Sequence, residues 1–89
     1  SAAAQKVFEQ WKNFEGSIII YESKHRIEKT LLGIKETLGD DRFICLSREL
    51  TKIHETFHVG TVVDVLEEMK TRSCKGEFTL VVAPEGYSL

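Results

Sequence analysis

Residues 17–22, Ser17-Ile18-Ile19-Ile20-Tyr21-Glu22, form a short, β-branched and nearly unbroken apolar run. Successive side chains of a strand point to opposite faces, so a run without alternation is the pattern of a strand covered on both sides. That reading makes it an inner strand of an α/β sheet, and the flanking segments extend the same picture. Upstream, Ala4, Val7, Phe8, Trp11 and Phe14 recur at helical spacing and predict an amphipathic helix that Gly16 ends. Downstream, Ser23 is a candidate N-cap for a helix whose stripe is Ile27, Leu31, Ile34 and Leu38, stopped by Gly39.

After the Asp40-Asp41 turn, a second apolar run, Phe43 to Leu46, continues into Arg48-Glu49 and reads as another inner strand. Lys52 to Val59 alternates (Ile53, Glu55, Phe57, Val59), the pattern of a half-exposed strand, and its closeness to the preceding strand predicts an antiparallel hairpin. Thr61 can cap a third helix with Asp64 in its first turn and Val62, Val65, Leu66 and Met69 as its stripe. A loop over Arg72 to Gly76 leads to a last strand, Glu77 to Ala83, which Pro84 stops. The order is α-β-α-β-β-α-β. Two strand–helix–strand crossovers predict a small mixed, mostly parallel sheet flanked by helices, with one antiparallel strand inserted.

Composition agrees with one small domain. The 89 residues hold 42% hydrophobic and 29% charged residues, with a single Pro, which argues against disorder and allows one core. The parts are an N-terminal helix over 1–16, a lobe over 17–84 and a tail over 85–89. Ser1-Ala2-Ala3-Ala4 lacks the basic and apolar regions of a secretory signal and is consistent with a cloning remnant. No apolar run is long enough for a membrane span. The two cysteines, Cys45 inside an apolar run and Cys74 in a polar loop, make no disulfide framework and fit reduced thiols in a cytoplasmic protein. A net charge of −2 does not advertise a polyanionic partner, so any RNA contact must come from a local basic patch.

Ligands of open α/β sheets settle at the carboxyl ends of parallel strands. Three such ends, Tyr21-Glu22-Ser23, Ser47-Arg48-Glu49 and Val82-Ala83-Pro84, are expected to converge on one rim. The first two are polar, with Glu22, Ser23, His25, Arg26, Arg48, Glu49, Thr51 and Lys52, although local ion pairs that finish strand ends explain such residues equally well. His25, His54 and His58 share no metal-ligand spacing with a cysteine, so no metal site is expected. No Gly-rich phosphate loop occurs among the six glycines, which removes the kinase reading.

The same rim segments carry a resemblance. Tyr21-Glu22-Ser23-Lys24-His25-Arg26 is similar to the Y-E-S-P-H-R segment of the bacterial ribosomal RNA small subunit methyltransferase I family, within the tetrapyrrole (corrin/porphyrin) methylase superfamily. Ser47-Arg48-Glu49-Leu50-Thr51-Lys52 resembles its A-R-E-L-T-K segment. Glu55, Phe57 and Gly60-Thr61 resemble E-x-F-x-x-G-T-L, and Lys75-Gly76-Glu77-Phe78 with Leu80-Val81-Val82 resembles the closing K-G-E-F-x-L-V-V. The likeness runs from about Ser17 to Val82 in family order and spacing. Lys24 replaces the usual Pro, His58-Val59 stands where an arginine is frequent, and Ala83-Pro84-Glu85-Gly86 lengthens the usual ending.

The resemblance implies the C-terminal lobe of a homodimeric enzyme that transfers a methyl group from S-adenosylmethionine to a cytidine ribose 2′-hydroxyl of small-subunit ribosomal RNA. The glycine- and proline-rich cofactor loops of the N-terminal lobe are not among these residues, so the chain alone is expected to be inactive. By position, Tyr21, Glu22, Ser23, Ser47, Arg48, Val82 and Ala83 would contact the cofactor. Glu49, Arg48, Glu22 and His25 are the catalytic candidates, and Lys24, Arg26 and Lys52 the candidates for RNA phosphates. Two other readings are a lobe of a small-molecule tetrapyrrole methylase and a non-catalytic dimerisation or binding module.

Overall fold

A computed structural model describes residues 2–50, 53–71 and 76–88. All seven expected elements form, in the expected order: α1 (Ala2–Trp11), β1 (Ile18–Ser23), α2 (Ile27–Leu38), β2 (Phe43–Leu50), β3 (Ile53–Thr61), α3 (Val62–Met69) and β4 (Glu77–Val82). Lys52, Thr51, Cys74 and most of the Arg72–Gly76 loop lie outside the described residues.

The sheet corrects the expected strand directions. Its order is β1-β4-β2-β3, and every neighbouring pair is antiparallel. Both crossovers exist, and each does join strands that run the same way. Each also skips a strand: β4 lies between β1 and β2, and β2 lies between β3 and β4. The two strand–helix–strand units therefore interleave, and directions alternate across the sheet. A crossover dictates relative direction, not adjacency, so counting crossovers overestimated the parallel pairing.

Interleaving puts all three helices on one face. The core joins Ile27, Leu31, Ile34 and Leu38 of α2 and Val62, Val65 and Met69 of α3 to Ile44, Leu46, Phe78, Leu80 and Val82 of the central strands. Each such side chain contributes about 1.5–3 kcal/mol by leaving water. On β1 only alternate residues turn inward: Ile18 and Ile20 are half-buried while Ile19 is 61% exposed. The apolar run at 17–22 is thus covered on one side only.

Local details follow from individual residues. Thr61 caps α3 by accepting the Asp64 N–H at 3.2 Å. Ser23 is not the cap of α2; it closes β1, and Arg26 takes the cap position without a side-chain bond. Helix α1 stops at Trp11, earlier than the Phe14 expected, and continues as turns. It lies on α2 where Gly33 gives the Phe8 ring room: a Cβ at Gly33 would collide with that ring. Trp11 packs edge-to-face on Phe8, ring centroids 5.1 Å apart, and both rings lean on the core.

Candidate functional site

The strand register decides which candidates meet. Ser23 of β1 lies opposite Glu77 of β4, and Glu77 lies opposite Glu49 of β2. One row inward, Glu22, Phe78 and Arg48 form the next rank. The carboxyl ends of β1 and β2 therefore share a rim, as expected, because these two strands run in the same direction.

Val82 and Ala83 do not join them. β4 runs the other way, so Val82 pairs with Ile18 and Ile44 at the opposite border, and the start of β4 occupies the rim instead. Five residues of strand separate Glu77 from Val82, about 17 Å. Val82 and Ala83 are buried at that opposite border. The Ala83 N–H donates to the Phe43 carbonyl at 3.0 Å, and its own carbonyl accepts from Arg42 Nη1 at 3.2 Å. The expectation of a single lip carrying all three strand ends is thus overturned by strand direction.

Within the rim, the pleat divides the residues. Glu22 and Arg48 share the helix-side row with buried Phe78, whereas Ser23, Glu49 and Glu77 share the open-face row. Arg48 and Glu49, neighbours in sequence, therefore serve different faces, with a register shift between them in the β2–β3 pairing. Glu22 is held at both carboxylate oxygens. Its Oε2 accepts the Thr30 hydroxyl at 2.7 Å, and its Oε1 lies 3.4 Å from the Ser23 amide. Thr30 sits on the first turn of α2, so a helix and a strand together fix this carboxylate.

Two depressions flank Glu22. A shallow one on the open face, about 330 Å³, is lined by Tyr21, Glu22, Ser23, Glu49, Glu77, Phe78 and Thr79. A larger groove between α1 and α2 carries Phe8 and Trp11 on one wall and His25, Arg26 and Lys29 on the other. Glu22 borders both. Tyr21 is 80% exposed above the first, whereas the Ser47 hydroxyl is buried and donates to the Thr79 carbonyl at 3.4 Å.

Lys24, His25 and Arg26 occupy an exposed turn between β1 and α2, with Lys29 one turn further along. The structure thus brings the candidates His25 and Arg26, together with Lys29, to the groove, with Lys24 in the turn beside them. Lys52 lies outside the described residues. Glu77, Thr30 and Lys29 were not singled out from the sequence. Glu77 was hidden because its place on the rim follows from the direction of β4. His58 is an inward residue of β3 whose Nδ1 meets Glu68 Oε2 of α3. Cys45, inside the apolar run of β2, is half-buried on the open face. Among the described residues no group of three or more His, Cys, Asp or Glu is placed to hold a metal ion, and no helix is long and apolar enough to cross a membrane.

The rim thus combines two carboxylates, Glu49 and Glu77, and an exposed phenol on its open side with Glu22 and a basic turn on its helix side. Carboxylates suit a cationic ligand with hydroxyl donors, and the basic turn suits phosphates.

No family model matches the chain. Individual proteins do. It is 38% identical over 79 residues to a protein named ribosomal RNA small subunit methyltransferase I from Synechocystis sp., covering 89% of this chain and 28% of that protein. The protein of the same name from Bacillus subtilis is 42% identical over 78 residues, covering 88% of this chain and 26% of its own length. That from Hydrogenobaculum sp. is 44% identical over 71 residues, 79% of this chain and 30% of its own length. The chain therefore spans little more than a quarter of these relatives and matches their C-terminal part.

Proposed function

Since the chain belongs to the ribosomal RNA small subunit methyltransferase I family along nearly nine-tenths of its length, we propose that it is part of an enzyme that methylates small-subunit ribosomal RNA. The methyl donor is S-adenosylmethionine, and the acceptor is the 2′-hydroxyl of a cytidine ribose. The observation that carries this reading is the shared rim of β1 and β2, where Glu22, Ser23, Arg48 and Glu49 fall in two adjacent rows.

The charge pattern supports a division of labour. The donor carries a sulfonium cation and ribose hydroxyls, which fit the open-face carboxylates Glu49 and Glu77 and the exposed ring of Tyr21. RNA phosphates suit the other side, where Lys24, Arg26 and Lys29 lie together. When bound, the cofactor supplies an activated methyl group for in-line displacement. The protein's part is alignment of the acceptor and removal of its proton. Glu22, pinned by Thr30, has a fixed position for accepting a proton from a hydroxyl at the rim. Glu49 and His25 are the groups able to relay it. Arg48, anchored on a central strand, orients the acceptor side. Val82 and Ala83 take no part in this reading, because they lie a strand's length away.

The test uses the full-length enzyme with small ribosomal subunits and a labelled methyl donor. Ribose methylation is read as resistance of the labelled linkage to alkaline cleavage. Arg48→Ala is expected to lower transfer by about a hundredfold or more, the scale of a misaligned acceptor, with unfolding behaviour unchanged. Unaltered transfer would remove Arg48 from the site.

A further inference from the structure

The sheet face opposite the helices carries a continuous apolar band. Ile19, Val81, Cys45 and Val59 stand in register across all four strands, one per strand. Ile19 and Val59 are 61% and 51% exposed. The next row holds Tyr21, Thr79 and Ser47, and Phe43 with Tyr87 closes the far end, their rings 5.5 Å apart. Among the described side chains of this face, charge appears only in the last row, on Glu49 and Glu77. No element of the described chain covers this band, and antiparallel sheets that face water ordinarily alternate to polar residues there.

We propose that in the full-length protein this face is the seat of another segment of the same polypeptide, packed sheet-face against it. This rests on the family reading, under which the chain is little more than a quarter of the enzyme. Three observations choose that occupant. The described face has no lysine or arginine and ends in two glutamates, so a polyanion such as RNA finds repulsion where it needs counter-charge. Its area is small: four strands at ~4.8 Å and six residues at ~3.4 Å give about 400 Å². A stable complex between separate molecules needs about 800 Å² per partner, so a second copy held by this face alone would dissociate. A tethered segment escapes that limit, because covalent linkage supplies a millimolar-range effective concentration.

Cys45 lies in the middle of the band and serves as the reporter. The full-length protein is treated with a maleimide, and modification of the Cys45 peptide is followed by mass spectrometry in buffer and in urea. A covered face is expected to slow labelling at least about a hundredfold relative to the unfolded chain, since reaction then waits on local opening. Ile19→Glu in the full-length protein is expected to bring the rate to within about tenfold of the unfolded value. The milder Tyr21→Ser, expected to raise it in part, serves if that variant misfolds. Rapid labelling of Cys45 in the native wild-type protein overturns the proposal. So does protection that appears only after ribosomal subunits are added, or that is lost on dilution together with a dimer seen by sedimentation. Methyl transfer measured on the same sample separates the two readings: an active enzyme with open Cys45 refutes the docking alone, and an inactive one with shielded Cys45 refutes the function alone.

Discussion

Arg42 offers the sharpest test of how the far border of the sheet is held. Its side chain is 5% exposed, yet both of its partners are backbone carbonyls: Nη1 donates to Ala83 at 3.2 Å and Nη2 to Lys12 at 3.1 Å. Its own carbonyl accepts the first amide of α3, from Val62, at 2.9 Å. One residue thereby ties the end of α1, the end of β4 and the start of α3. Arg42→Met keeps most of the aliphatic stem and deletes the guanidinium. Two hydrogen bonds from a charged donor are lost, at about 1.5 kcal/mol each on the low side of their range. Lys12 is exposed, so water re-satisfies its carbonyl and returns about 1 kcal/mol. The net loss is about 2 kcal/mol. For a domain of this size that lowers the midpoint of thermal unfolding by roughly 8–16 °C. Circular dichroism at a helix wavelength reads it directly. Arg42→Lys is expected to be no better than Met, because an ammonium group cannot span two carbonyls in a fork. A midpoint within about 3 °C of wild type for Met, below the fall of 4 °C or more that each kcal/mol brings, or full rescue by Lys, would refute this account.

Two further substitutions test the helix layer. Gly33→Val drives a branched side chain into the Phe8 ring, so it should cost about 1–3 kcal/mol and lift α1; a red shift of Trp11 fluorescence below the unfolding transition is the expected sign, and an unchanged spectrum counts against the contact. Thr61→Ala removes the acceptor of the Asp64 amide at the start of α3 and should cost about 1 kcal/mol in urea unfolding, with Thr61→Ser restoring most of it.

Much of the fold was legible because local signals and tertiary contacts agree. The stripes Ile27-Leu31-Ile34-Leu38 and Val62-Val65-Met69 are the buried faces of α2 and α3, and Thr61 caps as its chemistry suggests. The run 17–22 misled. A string of Ile and Tyr reads as covered on both faces only if every apolar residue is buried, and Ile19 and Tyr21 are exposed. Sequence pattern reports what a side chain prefers, and an apolar face open in this chain looks the same as a filled one. Rim membership was half legible for the same kind of reason. Glu22-Ser23 and Arg48-Glu49 share a border because a crossover sets two strands in one direction. Glu77 and Ala83 exchanged places because nothing local encodes where β4 inserts.

By itself the sequence determined the identity and order of the elements and the inward faces of α2 and α3, since periodicity and capping are properties of a few adjacent residues. It also carried the motif series around Tyr21–Arg26 and Ser47–Lys52 that ties the chain to its relatives. Tertiary structure alone decided that β4 lies between β1 and β2. That choice depends on how two strand–helix–strand units interlock to bury one continuous core, a sum over contacts distant in sequence. From it follow the alternating strand directions, the rim built of Glu22, Arg48, Glu49 and Glu77, and an apolar face left open on the other side.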